Sequence, residues 1–135
     1  MRVVLDTNVL IAAFVSRGRC AQLLEHCAEA HEVVTSAGLL QEYEEKLVRK
    51  FRLTPDLAAA NAALLRSVME VVDPPPLPNP VCRDPDDDLV IATARAGACA
   101  CIVTGDNDLL VLRSYGTIDI ISPAGFPAYE ASRLG

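Results

Sequence analysis

Val3-Val4-Leu5-Asp6-Thr7-Asn8-Val9-Leu10 is the stretch on which the fold turns. Three apolar residues in a row have the pattern of a short strand covered on both faces, not the alternation of a half-exposed one. Asp6-Thr7-Asn8 then supplies side chains that cap a helix, and Val9 to Phe14 continues as its apolar body. The same grammar recurs down the chain. Val33-Val34-Thr35 reads as a second strand, and Ser36 as the N-cap of a helix from Ala37 to about Lys50, with an apolar stripe of Leu39, Leu40, Tyr43 and Leu47. Val71-Val72, Cys101 to Thr104 and Ile118 to Ile121 read as further strands. Helices are predicted over Ala21 to Ala30, from Thr54-Pro55 to about Met69, from Asp86 to Gly97, and over Leu109 to Leu112. Strand and helix alternate throughout. That predicts a three-layer α/β domain with a central, mainly parallel sheet of four or five strands, in which Val3 to Leu5 and Cys101 to Val103 are neighbours.

A length of 135 residues suits one domain, residues 1–135, with a core of its own. Trp is absent and Phe plus Tyr amount to six residues, so the core must be aliphatic. The chain opens directly on a strand-like segment without a signal peptide, and no apolar run approaches the roughly 20 residues of a membrane span. A soluble cytoplasmic protein is expected. The cysteines, at 20, 27, 82, 99 and 101, are odd in number and suit neither a disulfide scaffold nor a zinc knuckle. Asp73 to Pro80 carries five prolines and must be a loop. The net charge of −6 argues against a duplex nucleic-acid binder, whose affinity rests on Lys and Arg.

Four acids stand where apolar runs end or beside them: Asp6, Glu42, Asp88 and Asp106. Each has an ordinary alternative. Asp6 could simply cap a helix, Glu42 could sit on a solvated face with Glu44 and Glu45, and the four aspartates of residues 84 to 88 could serve a helix N-terminus. Together they are harder to dismiss, because open parallel sheets bind ligands beyond the carboxyl ends of their strands. Carboxylates gathered there repel one another unless a cation neutralises them. A hard divalent ion is the natural candidate, and with it the hydrolysis of phosphate esters. No Ser-His-Asp set, nucleophilic cysteine or phosphate-cradling glycine run competes for the chemistry.

The blocks Val3 to Leu10, Ser36 to Leu47 with Glu42-Tyr43, Cys82 to Asp88, and Val103-Thr104-Gly105-Asp106-Asn107-Asp108-Leu109-Leu110 resemble, in their order and spacing, the PIN-domain family. The likeness runs from residue 2 to about 122 and is to the toxin branch of toxin–antitoxin systems, the VapC-like ribonucleases. It implies a Mg²⁺-dependent endoribonuclease, with Mn²⁺ as a substitute, that cleaves single-stranded RNA and is held in check by a small antitoxin protein. The family's four acids fall on Asp6, Glu42, Asp88 and Asp106, all as catalytic metal ligands. Its supporting polar positions fall on Asn8 and Thr104, and Asp108 matches an auxiliary acid. Asp84 is expected to cap or to support the ligands. A helix beginning earlier would bring Asp84 or Asp87 into the site.

Two other functions are open to these residues. An aspartate-based phosphatase using Asp6 as nucleophile would want a second aspartate where Asn8 stands and a lysine at the site, yet the only lysines are Lys46 and Lys50 on the Glu42 helix. A non-catalytic RNA- or protein-binding regulatory domain would keep the acids without turnover. Arg17, Arg19, Arg83 and Arg113 are candidates for phosphate contacts. The apolar content of the helix from Leu57 to Met69 suggests a homodimer.

Overall fold

The computed structural model describes residues 1–134. Its elements are β1 (Arg2–Leu5), α1 (Thr7–Val15), α2 (Arg19–Ala30), β2 (Glu32–Ser36), α3 (Ala37–Phe51), α4 (Pro55–Val68), β3 (Glu70–Val72) and α5 (Pro85–Ala96). They are followed by β4 (Cys101–Val103), α6 (Asn107–Leu110), β5 (Ser114–Tyr115), β6 (Ile118–Ile121) and α7 (Phe126–Leu134). The strand order is β3-β2-β1-β4-β6-β5, parallel except for the β5–β6 pair. β1 and β4 lie side by side in the middle, with Val3 opposite Cys101 and Leu5 opposite Val103. The chain builds outward from β1 through β2 to β3 and then returns to β1's other flank with β4. The strand order therefore reverses between β1 and β4, which is where an open α/β sheet opens a crevice at its carboxyl edge.

Side-chain alternation sorts the core into two layers. Val3, Leu5, Val33, Cys101 and Val103 face one way, against Leu10 of α1, Cys27 of α2, Tyr43 and Leu47 of α3, Ala58 and Ala62 of α4 and Phe126 of α7. Val4, Val34, Ile102 and Ile120 face the other way, against Val90, Ile91 and Ala94 of α5 and Leu109 of α6. The continuous apolar strands are thus buried on both faces, as their composition required. At Gly97 a Cβ would come within 2.7 Å of Val34, so the end of α5 can lie on β2 only because that residue has no side chain.

The sheet has six strands where four or five were expected. The extra one, β5, is a two-residue strand closed by the turn at Gly116, whose φ of 58° suits glycine. Two residues carry no readable periodicity. The segment after Pro123 is a helix whose Phe126 is buried in the first layer. Among the described residues no helix is long and apolar enough to cross a membrane.

Candidate active site

β1 hands the chain to α1 at Asp6. Its N–H donates to the Val103 carbonyl of β4 at 2.9 Å, which locks the first turn of α1 onto the neighbouring strand. The Asp6 carboxylate is almost fully buried and held from three sides. Oδ1 accepts the Thr7 N–H at 2.7 Å, and Oδ2 accepts the Thr104 hydroxyl at 2.7 Å and the Asn8 amide at 3.2 Å. Thr104 Oγ1 in turn accepts the Asp106 N–H at 3.0 Å, and Asn8 Oδ1 accepts the Gly105 N–H at 3.2 Å. Asn8 and Thr104, the two supporting residues of the sequence reading, therefore couple the ends of β1 and β4. Asp6 and Asp106 share one sheet edge.

Burial pushes the Asp6 carboxyl above its ordinary range. The bonds from Thr104 and Thr7 oppose that shift, while the charges of Glu42 and Asp106 add to it. Glu42, on α3, is only partly exposed and ties its Oε1 to Lys46 Nζ at 2.8 Å, one turn on. Its negative charge adds to the upward shift at Asp6. Asp106 caps α6 by accepting the Asp108 N–H at 2.9 Å.

Of the two acids Asp87 and Asp88, it is Asp87 that the structure brings to Asp106 and Asp108. α5 begins at Pro85 with Asp84 as its N-cap, accepting the Asp86 N–H at 2.9 Å. That start sets the rotation of the helix: Asp87 lies one turn before the buried Val90 and Ile91 and turns toward the sheet edge. Asp88 turns toward the proline-rich loop. Its Oδ1 accepts the Cys82 N–H at 2.8 Å and its Oδ2 the Val81 N–H at 3.1 Å, so both oxygens are used to fasten that loop to α5. Asp84 is likewise a cap.

Asp87 lies close to Asp106. Burial, the hydrogen bond to Asp106 and then the charges of Asp106, Asp84 and Asp6 push its carboxyl up to about 7. Asp87, Asp106 and Asp108 each offer an oxygen within 4.8 Å of the others. Asp108 is about half exposed and meets Arg83 at 3.2 Å, which sets a guanidinium beside the acids. The donors offered here are carboxylate oxygens, without imidazole or thiolate among them, and such a set fits a hard divalent cation of the Mg²⁺ or Mn²⁺ class. The raised carboxyls of Asp6 and Asp87 reflect burial first and the charges of the neighbouring acids second.

A family model for the PIN domain matches residues 2–108. Among solved structures, VapBC-1 from nontypeable Haemophilus influenzae is similar at a TM-score of 0.65 and 14% identity, covering 92% of this chain and 99% of that one. VapBC2 from Rickettsia felis, solved with a DNA fragment from its promoter, is similar at a TM-score of 0.64 and 14% identity, with 90% and 98% covered. VapC20 from Mycobacterium tuberculosis, a toxin that cleaves the sarcin-ricin loop, gives a TM-score of 0.59 at 21% identity, with 82% and 94% covered. No curated protein matches the chain. At these identities the structures speak for the fold, and the fold is theirs. The family match spans most of the chain and every acid of the cleft, from Asp6 to Asp108: the chain belongs to the PIN-domain family.

Proposed function

We propose that this protein is a metal-dependent endoribonuclease of the toxin–antitoxin kind, acting on single-stranded RNA. The observation that carries the proposal is the packing of Asp6, Asp87 and Asp106 at the switch point of the sheet, with Glu42 on the rim. Asp6, Asp87 and Asp106 would hold Mg²⁺ or Mn²⁺ directly or through water, with Glu42 and Asp108 completing the set. Such an ion, when bound, supplies a water of lowered pKa and shields the charge of the phosphoryl group. The chain's own residues do the rest. Thr104 and Asn8 fix the Asp6 carboxylate in one rotamer, and Lys46 restrains Glu42. Arg83, almost fully exposed at the cleft, is placed to contact a phosphate next to the one being cleaved.

Two features favour a single strand. The protein has only two lysines and a net charge of −6, whereas binding of a duplex rests on Lys and Arg. Between the proline-rich loop and α5 lies a cleft of about 490 Å³, walled by Pro74, Pro76, Leu77 and Leu89 and reaching Arg83, where an unstacked base would find apolar surface. A covalent role for Asp6 is disfavoured, since three donors hold its carboxylate as an acceptor and Lys46 is engaged by Glu42. The neighbouring structures named VapBC support a small antitoxin partner, and the acids of the cleft would suit a positive side chain from it. Leu57, Leu64 and Val68 form an exposed stripe on α4 and support self-association into a homodimer.

The test is incubation of purified, partner-free protein with unpaired RNA and duplex DNA in EDTA, Mg²⁺ or Mn²⁺, beside Asp6→Asn. Cleavage of RNA in either metal, abolished by EDTA and by the substitution, is the expected result. RNA cleavage that persists in EDTA, or faster hydrolysis of duplex DNA, would overturn the reading. Sedimentation at rising concentration tests the homodimer, which a monomer mass at high micromolar protein would refute.

A further inference from the structure

Far from the acids, at the other end of α2, three metal-ligating groups converge that the proposed nuclease chemistry does not use. His26 lies just before the last turn of α2, and His31 is its C-cap, in extended backbone. Glu130 reaches them from α7. Its Oε2 meets His26 Nε2 at 2.6 Å and also His31 Nε2. The two rings stand edge to face, 5.6 Å between centroids and 85° apart. His31 is buried by Phe126, Glu130 is one-fifth exposed, and His26 is half exposed on the wall of a surface cleft of about 460 Å³. The three donor atoms lie within 4.8 Å of one another.

We propose that His26, His31 and Glu130 form a binding site for a borderline transition-metal ion, Zn²⁺ foremost, that staples α7 to α2. Two imidazoles and one carboxylate are a zinc donor set, with Zn–N and Zn–O distances of about 2.0–2.2 Å. Such distances place ligand atoms of a tetrahedral site about 3.4 Å apart, so a small opening of the present cluster admits the ion. The side facing the cleft leaves a fourth position for water. Without metal, each Nε2–H donates to Glu130. With metal, each Nε2 gives its lone pair and the ring proton moves to Nδ1. At His31 that nitrogen lies 3.1 Å from the Met1 amine nitrogen. Nitrogen ligands separate this site from the all-oxygen cluster, which prefers Mg²⁺. The neighbouring Cys27 is a poor rival, because burial and the Glu130 charge push its thiol up to about 12. Glu130 lies beyond residues 2–108, so the family match does not supply this cluster.

The test uses the whole chain in millimolar Mg²⁺, which occupies the acid cluster and competes weakly for imidazole. Equilibrium dialysis against Zn²⁺ should find one ion per chain at micromolar free zinc, and Co²⁺ should give the intense visible bands of a four- or five-coordinate site. His26→Ala removes a half-exposed ligand with little risk to folding, and Glu130→Gln removes the charge. Each should weaken binding at least tenfold, abolish the Co²⁺ bands and cancel the zinc-induced rise in Tm. Wild-type protein that takes up no zinc, or a His26→Ala chain that binds it equally, would overturn the proposal. Neither outcome depends on the nuclease reading.

Discussion

The two ends of the central sheet handle acidic groups in opposite ways. At the amino end, Arg2 lies between two carboxylates, donating to Glu32 at 2.6 Å and also to Glu70, while its Nε–H donates to the Gly97 carbonyl at 2.6 Å. The carboxylates raise the guanidinium pKa further, so the charges there satisfy one another. At the carboxyl end, Asp6, Asp87 and Asp106 crowd together, and the two cations at the rim pair with the outermost acids, Glu42 and Asp108. One end is closed electrostatically and the other is left open. The uncompensated charge at the strand reversal is the ground on which we propose that end as the working one.

The largest effect should separate Asp87 from its neighbour. Asp87→Asn is expected to lower metal-dependent RNA cleavage by more than about 100-fold, since residues that merely orient metal ligands already cost 10–100-fold. The same change should raise the Tm of the metal-free protein by relieving repulsion. Asp88→Asn should keep activity within about tenfold of wild type, because one oxygen still accepts from the loop. Asp88→Ala should lose about 1.5–3 kcal/mol of stability, the worth of a hydrogen bond to a charged group. Equal losses of cleavage in Asp87→Asn and Asp88→Asn would break the assignment.

Next in size is Thr104→Val, which conserves volume but removes a hydroxyl that donates to Asp6 and accepts from Asp106. A 10–100-fold loss of cleavage is expected by steady-state assay, with roughly 1–2 kcal/mol of stability. At the closed end, Arg2→Ala should do the reverse. It should lower stability by about 1 kcal/mol, given the partial exposure of the guanidinium, and leave cleavage unchanged.

The pH dependence of stability sharpens the contrast further. Asp87 is raised in the fold from an ordinary 3.8 to about 7, so between those values the folded chain binds more protons than the unfolded one. Its contribution therefore falls as pH rises through that window, and Asp6 acts in the same direction. Urea midpoints of the metal-free protein should decline from about pH 4 to pH 7, and Asp87→Asn should flatten the decline.

Much of this was legible in residue order. Continuous apolar runs mark β1, β2, β4 and β6, and the acids that follow β1 and β4 point to one shared edge for Asp6 and Asp106. Asn8 and Thr104 were equally readable, as polar groups flanking those acids. The choice between Asp87 and Asp88 was not, because adjacent residues on a helix differ by about 100° and the choice depends on where α5 begins. A signal was present: the buried Val90, Ile91 and Ala94 extend back by three, four and seven residues to Asp87. The Leu89 to Ala92 run hid it by making every position look inward. The His26–His31–Glu130 cluster was out of reach altogether, since 99 residues separate the second histidine from the glutamate.

Mn²⁺ binding at neutral pH, followed by equilibrium dialysis in wild-type and Asp87→Asn protein, tests the open end of the sheet most directly. Wild-type chain should bind Mn²⁺, gain Tm from it and release protons as the raised carboxyls ionise, while Asp87→Asn should bind at least tenfold more weakly. A wild-type chain that binds no Mn²⁺ and melts at the same temperature with or without it would contradict the account.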